Sequence, residues 1–128
     1  MRHSLSYLAN ARTLVMHKIF DMPYAKVHPL YIAKLARKGR TVDELNQVVR
    51  WLTGFSQTQL DQHIAAGSTL REFFADAQLN PNAALITGVI CGVRVELIED
   101  PLMQKIRYLD KLVDELYKGK SLEKVKRS

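Results

Sequence analysis

LNPNAALITGVICGVRVELIEDPLMQKIRYLDKLVDEL, residues 79–116, holds the longest apolar run of the chain, its only cysteine (Cys91), and two glycines four apart, Gly88 and Gly92. How this run folds decides the architecture. Asn80-Pro81 has the form of an N-cap followed by a first helical residue, where the missing proline N–H costs nothing. Wound at about 100° per residue, Ile86, Val89, Ile90, Val93 and Leu97 share one face. Ala84, Gly88, Gly92 and Val95 fall roughly opposite, a small-residue face that another backbone can approach. The spacing predicts a buried central helix near residues 81–98. Propensity pulls the other way, because the run is β-branched and each interior glycine costs a helix about 1 kcal/mol relative to alanine. A strand from Val93 to Ile98 is the alternative. Its one candidate partner is the stretch 13–20, and an unpaired strand would strand its backbone groups.

The choice bears on the charges in the run. On a helix, Arg94 and Glu96 point to different sides; on a strand they share a face. On a helix, Arg94, Glu96 and Glu99 also have no opposite charge three or four residues away, so their partners must be distant. An interhelical ion pair is the favoured role, and an anion or carboxylate site around Arg94, with Thr87 and Cys91 nearby, is the functional alternative. Cys91 itself reads as a small core hydrophobe rather than a nucleophile.

Outward from this run, helix signals are dense. Asp100-Pro101 repeats the cap-plus-proline pattern and opens a long helix, 101–117, before Gly119. Its Leu102, Ile106, Leu109, Val113 and Leu116 recur three and four apart, a heptad-like seam suited to a protein partner or a second copy. Arg107 with Asp110, and Lys111 with Glu115, are candidate surface pairs. Upstream, Thr41/Glu44, Ser56/Gln59 and Thr69/Glu72 are three capping boxes. Gly54 and Gly67 stand where the first two of these helices should stop. Residues 16–23 read as an irregular approach to a helix whose first turn holds Pro29 and which ends near Gly39. The expected fold is therefore all-α: a compact orthogonal bundle of about five to six helices in one domain, 16–118. Residues 1–15 read as a loosely ordered extension, with Met16 a candidate start, and 119–128 as a frayed basic tail.

The 128 residues are 47% hydrophobic and 25% charged, an ordinary globular composition. One cysteine forbids an internal disulfide and points to a reducing, cytoplasmic setting. No CxxC or HExxH spacing is present, so neither a metal nor a cofactor is expected. No apolar run reaches membrane-spanning length, and no signal peptide is apparent. The formal charge of +6 comes from the two ends, and residues 16–117 are neutral. Within 16–40, six cations face Asp21 alone. Lys34, Arg37, Lys38 and Arg40, together with the tail, are candidate phosphate contacts. Residues 30–38 and 42–53 outline a helix-turn-helix, yet Asp43 and Glu44 would open its recognition helix and repel DNA. Nucleic acid is thus the less favoured partner.

NPN…LITGVICGVRVELIEDPLMQKIRYLDKLVDEL, with HKIFDMP (17–23), HPLYIAKLARKGRT (28–41) and VVRWLTGF (48–55), resembles the bacterial family of domain of unknown function 2200 over about residues 16–119. The resemblance implies a small, all-helical cytoplasmic bacterial protein and carries over no functional residue. No acid, base and nucleophile are assembled by any motif, so a non-enzymatic interaction module is the leading reading. The alternatives are a small-molecule binder or enzyme at Arg94/Glu96/Glu99, with Tyr31 or Thr87 as a helper, and a weak nucleic-acid binder.

Overall fold

The structure, a computed structural model, describes residues 18–128. The expected extension at 1–15 lies outside the described residues. Residues 18–20 are helical, where an irregular approach was expected. Pro23 then bridges to Thr69, with Tyr24 N donating to Ser68 O at 2.9 Å and Leu70 N to Met22 O at 2.8 Å.

Helix α1 spans Tyr24–Ala36, so Pro29 sits inside it rather than in its first turn. The extra turn is held by burial. Tyr24 and His28 are both buried, and the phenol lies 2.7 Å from His28 Nδ1. Burying a whole aromatic side chain contributes about 1.5–3 kcal/mol, comparable to the cost of a helical proline.

Helices α2 (Val42–Thr53), α3 (Gln57–Ala66) and α4 (Leu70–Asp76) begin at the three capping boxes, each formed in both directions. Gly54 ends α2 at φ 73°, and a Cβ there would meet Gln78 O at 2.8 Å, so both conformation and space require glycine. Helix α2 is the buried centre: Leu45, Val48, Val49 and Leu52 are wholly covered.

Residues 81–98 do not form the central helix that their periodicity predicts. A 3-10 turn at Pro81–Leu85 is followed by strands β1 (Val89–Ile90) and β2 (Val93–Arg94), paired antiparallel, then a second 3-10 turn at Val95–Leu97. The reason is backbone conformation. Cys91 and Gly92 have φ of 51° and 79°, the condition of a two-residue type I′ hairpin loop, whose twist matches that of the strands. A right-handed helix cannot pass through such residues. The strand finds its partner four residues back rather than at residues 13–20, most of which lie outside the described residues. The helical stripe accordingly splits. Ile86 and Val95 are fully buried, while Val89, Val93 and Leu97 are exposed. Cys91 is exposed at the turn, not in the core.

Helix α5, Pro101–Tyr117, starts where expected, with Asp100 accepting from Met103 N at 2.9 Å. It organises the molecule, packing against α1, α2, α4, β1 and the second 3-10 turn. The last ten residues are not frayed. Helix α6 (Leu122–Val125) packs on α2 and α5 and buries Val125 completely. Arg127 explains why the charged end stays down: its Nη2 reaches Glu115 Oε2 at 2.7 Å, and its carbonyl accepts from Asn82 Nδ2 at 3.0 Å. Most of the described chain is helical, and no described helix is long and apolar enough to cross a membrane.

Candidate functional site

The charges singled out by the sequence resolve into a surface device. Arg94 Nη1 lies 3.2 Å from Glu96 Oε1, and Glu96 Oε2 accepts from Gly88 N at 3.0 Å. The partner of Arg94 is therefore two residues away, reached where β2 ends at Arg94 and the 3-10 turn carrying Glu96 begins. Hydrogen bonds from its own N–H and from Gly88 hold the Glu96 carboxyl below its usual range, with Arg94 adding to them. The Arg94 side chain is 60% exposed. Thr87, Cys91 and Glu99 are also exposed. None of these five residues lines either cavity described below.

The seam of α5 is spent inside the molecule. Ile106, Leu109, Val113 and Leu116 are buried and Leu102 is half-buried. It offers no apolar face to a partner helix.

The two basic segments, far apart in sequence, meet at one end of the fold. Arg40 Nη1 donates to Lys120 O at 3.0 Å. Lys34 and Lys38 extend their ammonium groups over the Tyr117 ring, 5.1 and 5.0 Å from its centroid. Lys126 Nζ reaches Gln47 Oε1 on α2 at 3.3 Å. Beside them an open cleft of about 650 Å³ is lined by Lys111, Glu115, Lys118, Gly119, Lys120, Ser121 and Lys124. Several cations are matched locally: Arg40 by Glu44 (2.7 Å), Lys118 by Asp114 (3.0 Å), Lys120 and Arg127 by Glu115 (3.6 and 2.7 Å). Lys34 also stands 3.8 Å from Asp114; Asp43 flanks the first segment, and Glu123 is the one carboxylate within the second. Arg37, Lys38, Lys111 and Lys124 make no ion pair among the described residues, so the surface keeps a cationic excess.

A second feature lies between α1 and α5. Tyr31 donates to Asp110 Oδ1 at 2.5 Å, and Arg107 Nη1 donates to Asp110 Oδ2 at 2.8 Å. The same Arg107 nitrogen is 3.5 Å from Cys91 Sγ in the hairpin. Burial raises the Tyr31 phenol well above its usual value, and the Asp110 carboxylate reinforces the shift. Burial opposes charge on Arg107, yet Asp110, with smaller help from Cys91 and Tyr31, more than offsets it, so the guanidinium is held even more firmly protonated than usual. Around this trio is a cavity of about 170 Å³ lined by Ile19, Val27, Tyr31, Leu70, Phe74, Ile106, Arg107, Leu109 and Asp110.

The family described as "Uncharacterized protein conserved in bacteria (DUF2200)" matches residues 18–127. The chain belongs to this family. A solved structure, "Crystal structure of uncharacterized protein SP1917", is 45% identical, with a TM-score of 0.80 over 84% of this chain and 89% of that one. No curated protein matches.

In this DUF2200 chain the two features are a basic cleft and a part-buried Tyr31–Asp110–Arg107 cluster. Of the cleft lysines, Lys118 and Lys120 are paired with Asp114 and Glu115, while Lys111 and Lys124 make no ion pair among the described residues. Tyr31 and Arg107 each occupy one oxygen of Asp110, while Arg107 engages through Nη1 alone among the described residues. Among the described residues, no cluster of His, Cys, Asp and Glu has metal-holding geometry. The pocket was only partly legible beforehand. The Arg107/Asp110 spacing marks an i,i+3 pair, but nothing local indicates that Tyr31 closes on it from another helix.

Proposed function

We propose that the protein is a non-enzymatic cytoplasmic binding module whose basic end holds the phosphate backbone of nucleic acid. One observation carries the reading: residues 34–40 and 118–127 are pinned together by the Arg40–Lys120 bond, forming one cationic face. Phosphates gathered by such a face release condensed counterions, so binding is sequence-indifferent and falls steeply with salt. Asp43 and Glu44 at the start of α2 still argue against groove readout, which fits backbone contact alone.

The test is fluorescence anisotropy with a 20-base-pair duplex of mixed sequence across a salt series. The expected affinity is roughly 1–100 µM near physiological salt, with a log–log salt slope of about −0.9 for each phosphate engaged. The double variant Lys38→Glu/Lys124→Glu, at two cations with no ion-pair partner among the described residues, should weaken binding at least tenfold, with its circular dichroism unchanged. Absence of binding at low salt, or indifference to the double variant, would refute the proposal. Equal affinity for polyglutamate would reassign the face to an acidic protein.

A further inference from the structure

We infer that the cavity between α1 and α5 is a binding site for a small apolar carboxylate, a function separate from the basic end. Three observations converge on this. The first is its wall. Ile19, Val27, Leu70, Phe74, Ile106 and Leu109 supply an apolar lining, the usual composition of a small-molecule site. The second is its size. At about 170 Å³ it is slightly larger than an engineered apolar cavity of about 150 Å³ that admits benzene, so it fits a ligand of about six to nine heavy atoms. The third is its polar end. Asp110 is fully engaged, accepting from Tyr31 with one oxygen and from Arg107 with the other. Arg107 is not. Its Nη1 is shared between Asp110 and Cys91 Sγ, whereas no hydrogen bond within the described residues uses its Nε or Nη2.

The polar end is therefore a guanidinium whose position is fixed by a carboxylate and whose remaining donors form a planar fork. Such a fork matches a second carboxylate in bidentate fashion. The arrangement also selects against the opposite charge. A ligand ammonium would have to displace Arg107 or Tyr31 from Asp110, leaving a part-buried guanidinium or phenol without its partner. A neutral ligand of the same shape would fill the apolar wall but leave the fork unused. Arg107 thus determines specificity, and the apolar lining supplies contact area.

Benzoate is the probe, titrated into the isotope-labelled full chain and followed by ¹H–¹⁵N correlation spectra. Saturable shifts are expected at Val27, Leu70, Phe74 and Arg107, with benzyl alcohol and benzylamine binding at least tenfold more weakly. Arg107→Gln should lose at least tenfold in benzoate affinity, and Arg107→Lys should lose less. Val27→Phe, which fills the cavity and leaves Arg107 intact, should abolish the shifts while the protein stays folded. Shifts confined to the lysines of the basic cleft would overturn the inference. So would equal affinity for benzyl alcohol, or undiminished benzoate binding in Val27→Phe.

Discussion

His28 shows how a single buried side chain sets a pH response. Its Nδ1 lies 2.7 Å from the Tyr24 phenol, whose own ionisation is pushed far above its usual value by burial. Burial lowers the His28 pKa below 6.5, outweighing the opposing pull of Asn46 and Asp61. Between that lowered value and 6.5 the unfolded chain binds the extra proton and the folded chain does not. Stability from this group is thus complete above pH 6.5 and drains away as pH falls. Urea midpoints measured from pH 7.5 to 5 should decline, and His28→Gln should flatten that decline. A second prediction concerns Cys91, which holds φ 51° as a non-glycine residue. Asparagine tolerates this conformation better and Asn-Gly is the preferred pair for the turn. Cys91→Asn should raise unfolding free energy by about 0.5–1 kcal/mol, read from the urea midpoint.

The elements divide into those announced by end signals and those set by backbone sign. The starts of α2, α3 and α4 are written as Thr41/Glu44, Ser56/Gln59 and Thr69/Glu72, and α5 opens at Asp100-Pro101. These are local chemistry, so they could be read directly. Residues 86–98 could not, because side-chain periodicity does not encode the sign of φ. Val89, Val93 and Leu97 recur like a helical stripe, yet they are exposed on a hairpin. The glycine penalty was the correct warning. Helix α6 is silent in the sequence for a different reason: four residues show no periodicity, and what holds them is the bond from Arg127 to Glu115. That attachment is testable. Glu115 is buried, and Arg127 is its nearest cation at 2.7 Å. Arg127→Ala should cost about 2–3 kcal/mol, less than a fully sealed pair because Lys120 stands 3.6 Å away. Adding Glu115→Leu should recover much of the loss, since the uncompensated charge then disappears. Chemical denaturation of the two variants decides this.

At the scale of the whole molecule, both candidate sites are long-range constructions. Arg40 meets Lys120 across eighty residues, and Tyr31 meets Asp110 across seventy-nine. In the sequence the two basic segments lie far apart, and a frayed tail would form no surface with residues 34–40. Folding of that tail changed their meaning. Of the charges that stand out in the apolar run, Arg94 and Glu96 fasten the hairpin loop, and Glu99 is exposed. If the basic end binds duplex DNA only in the folded state, mass action must raise the thermal midpoint. Duplex at about 100 times its dissociation constant should stabilise the fold by about 2.7 kcal/mol, and 0.5 M salt should erase the shift.

The hairpin turn gives the molecule a built-in reporter. Cys91 is the sole thiol of the chain, it is exposed, and its sulfur lies 3.5 Å from Arg107. A maleimide fluorophore will therefore attach at one position without any engineering. From there the dye stands beside the Arg107 guanidinium that lines the α1–α5 cavity, whereas all of the basic cleft's lining except Lys111, which also touches the hairpin at Val89, lies further along α5 and beyond it. Quenching or spectral shift on addition of benzoate, but not of duplex DNA, would separate the two binding events optically in the unmodified sequence.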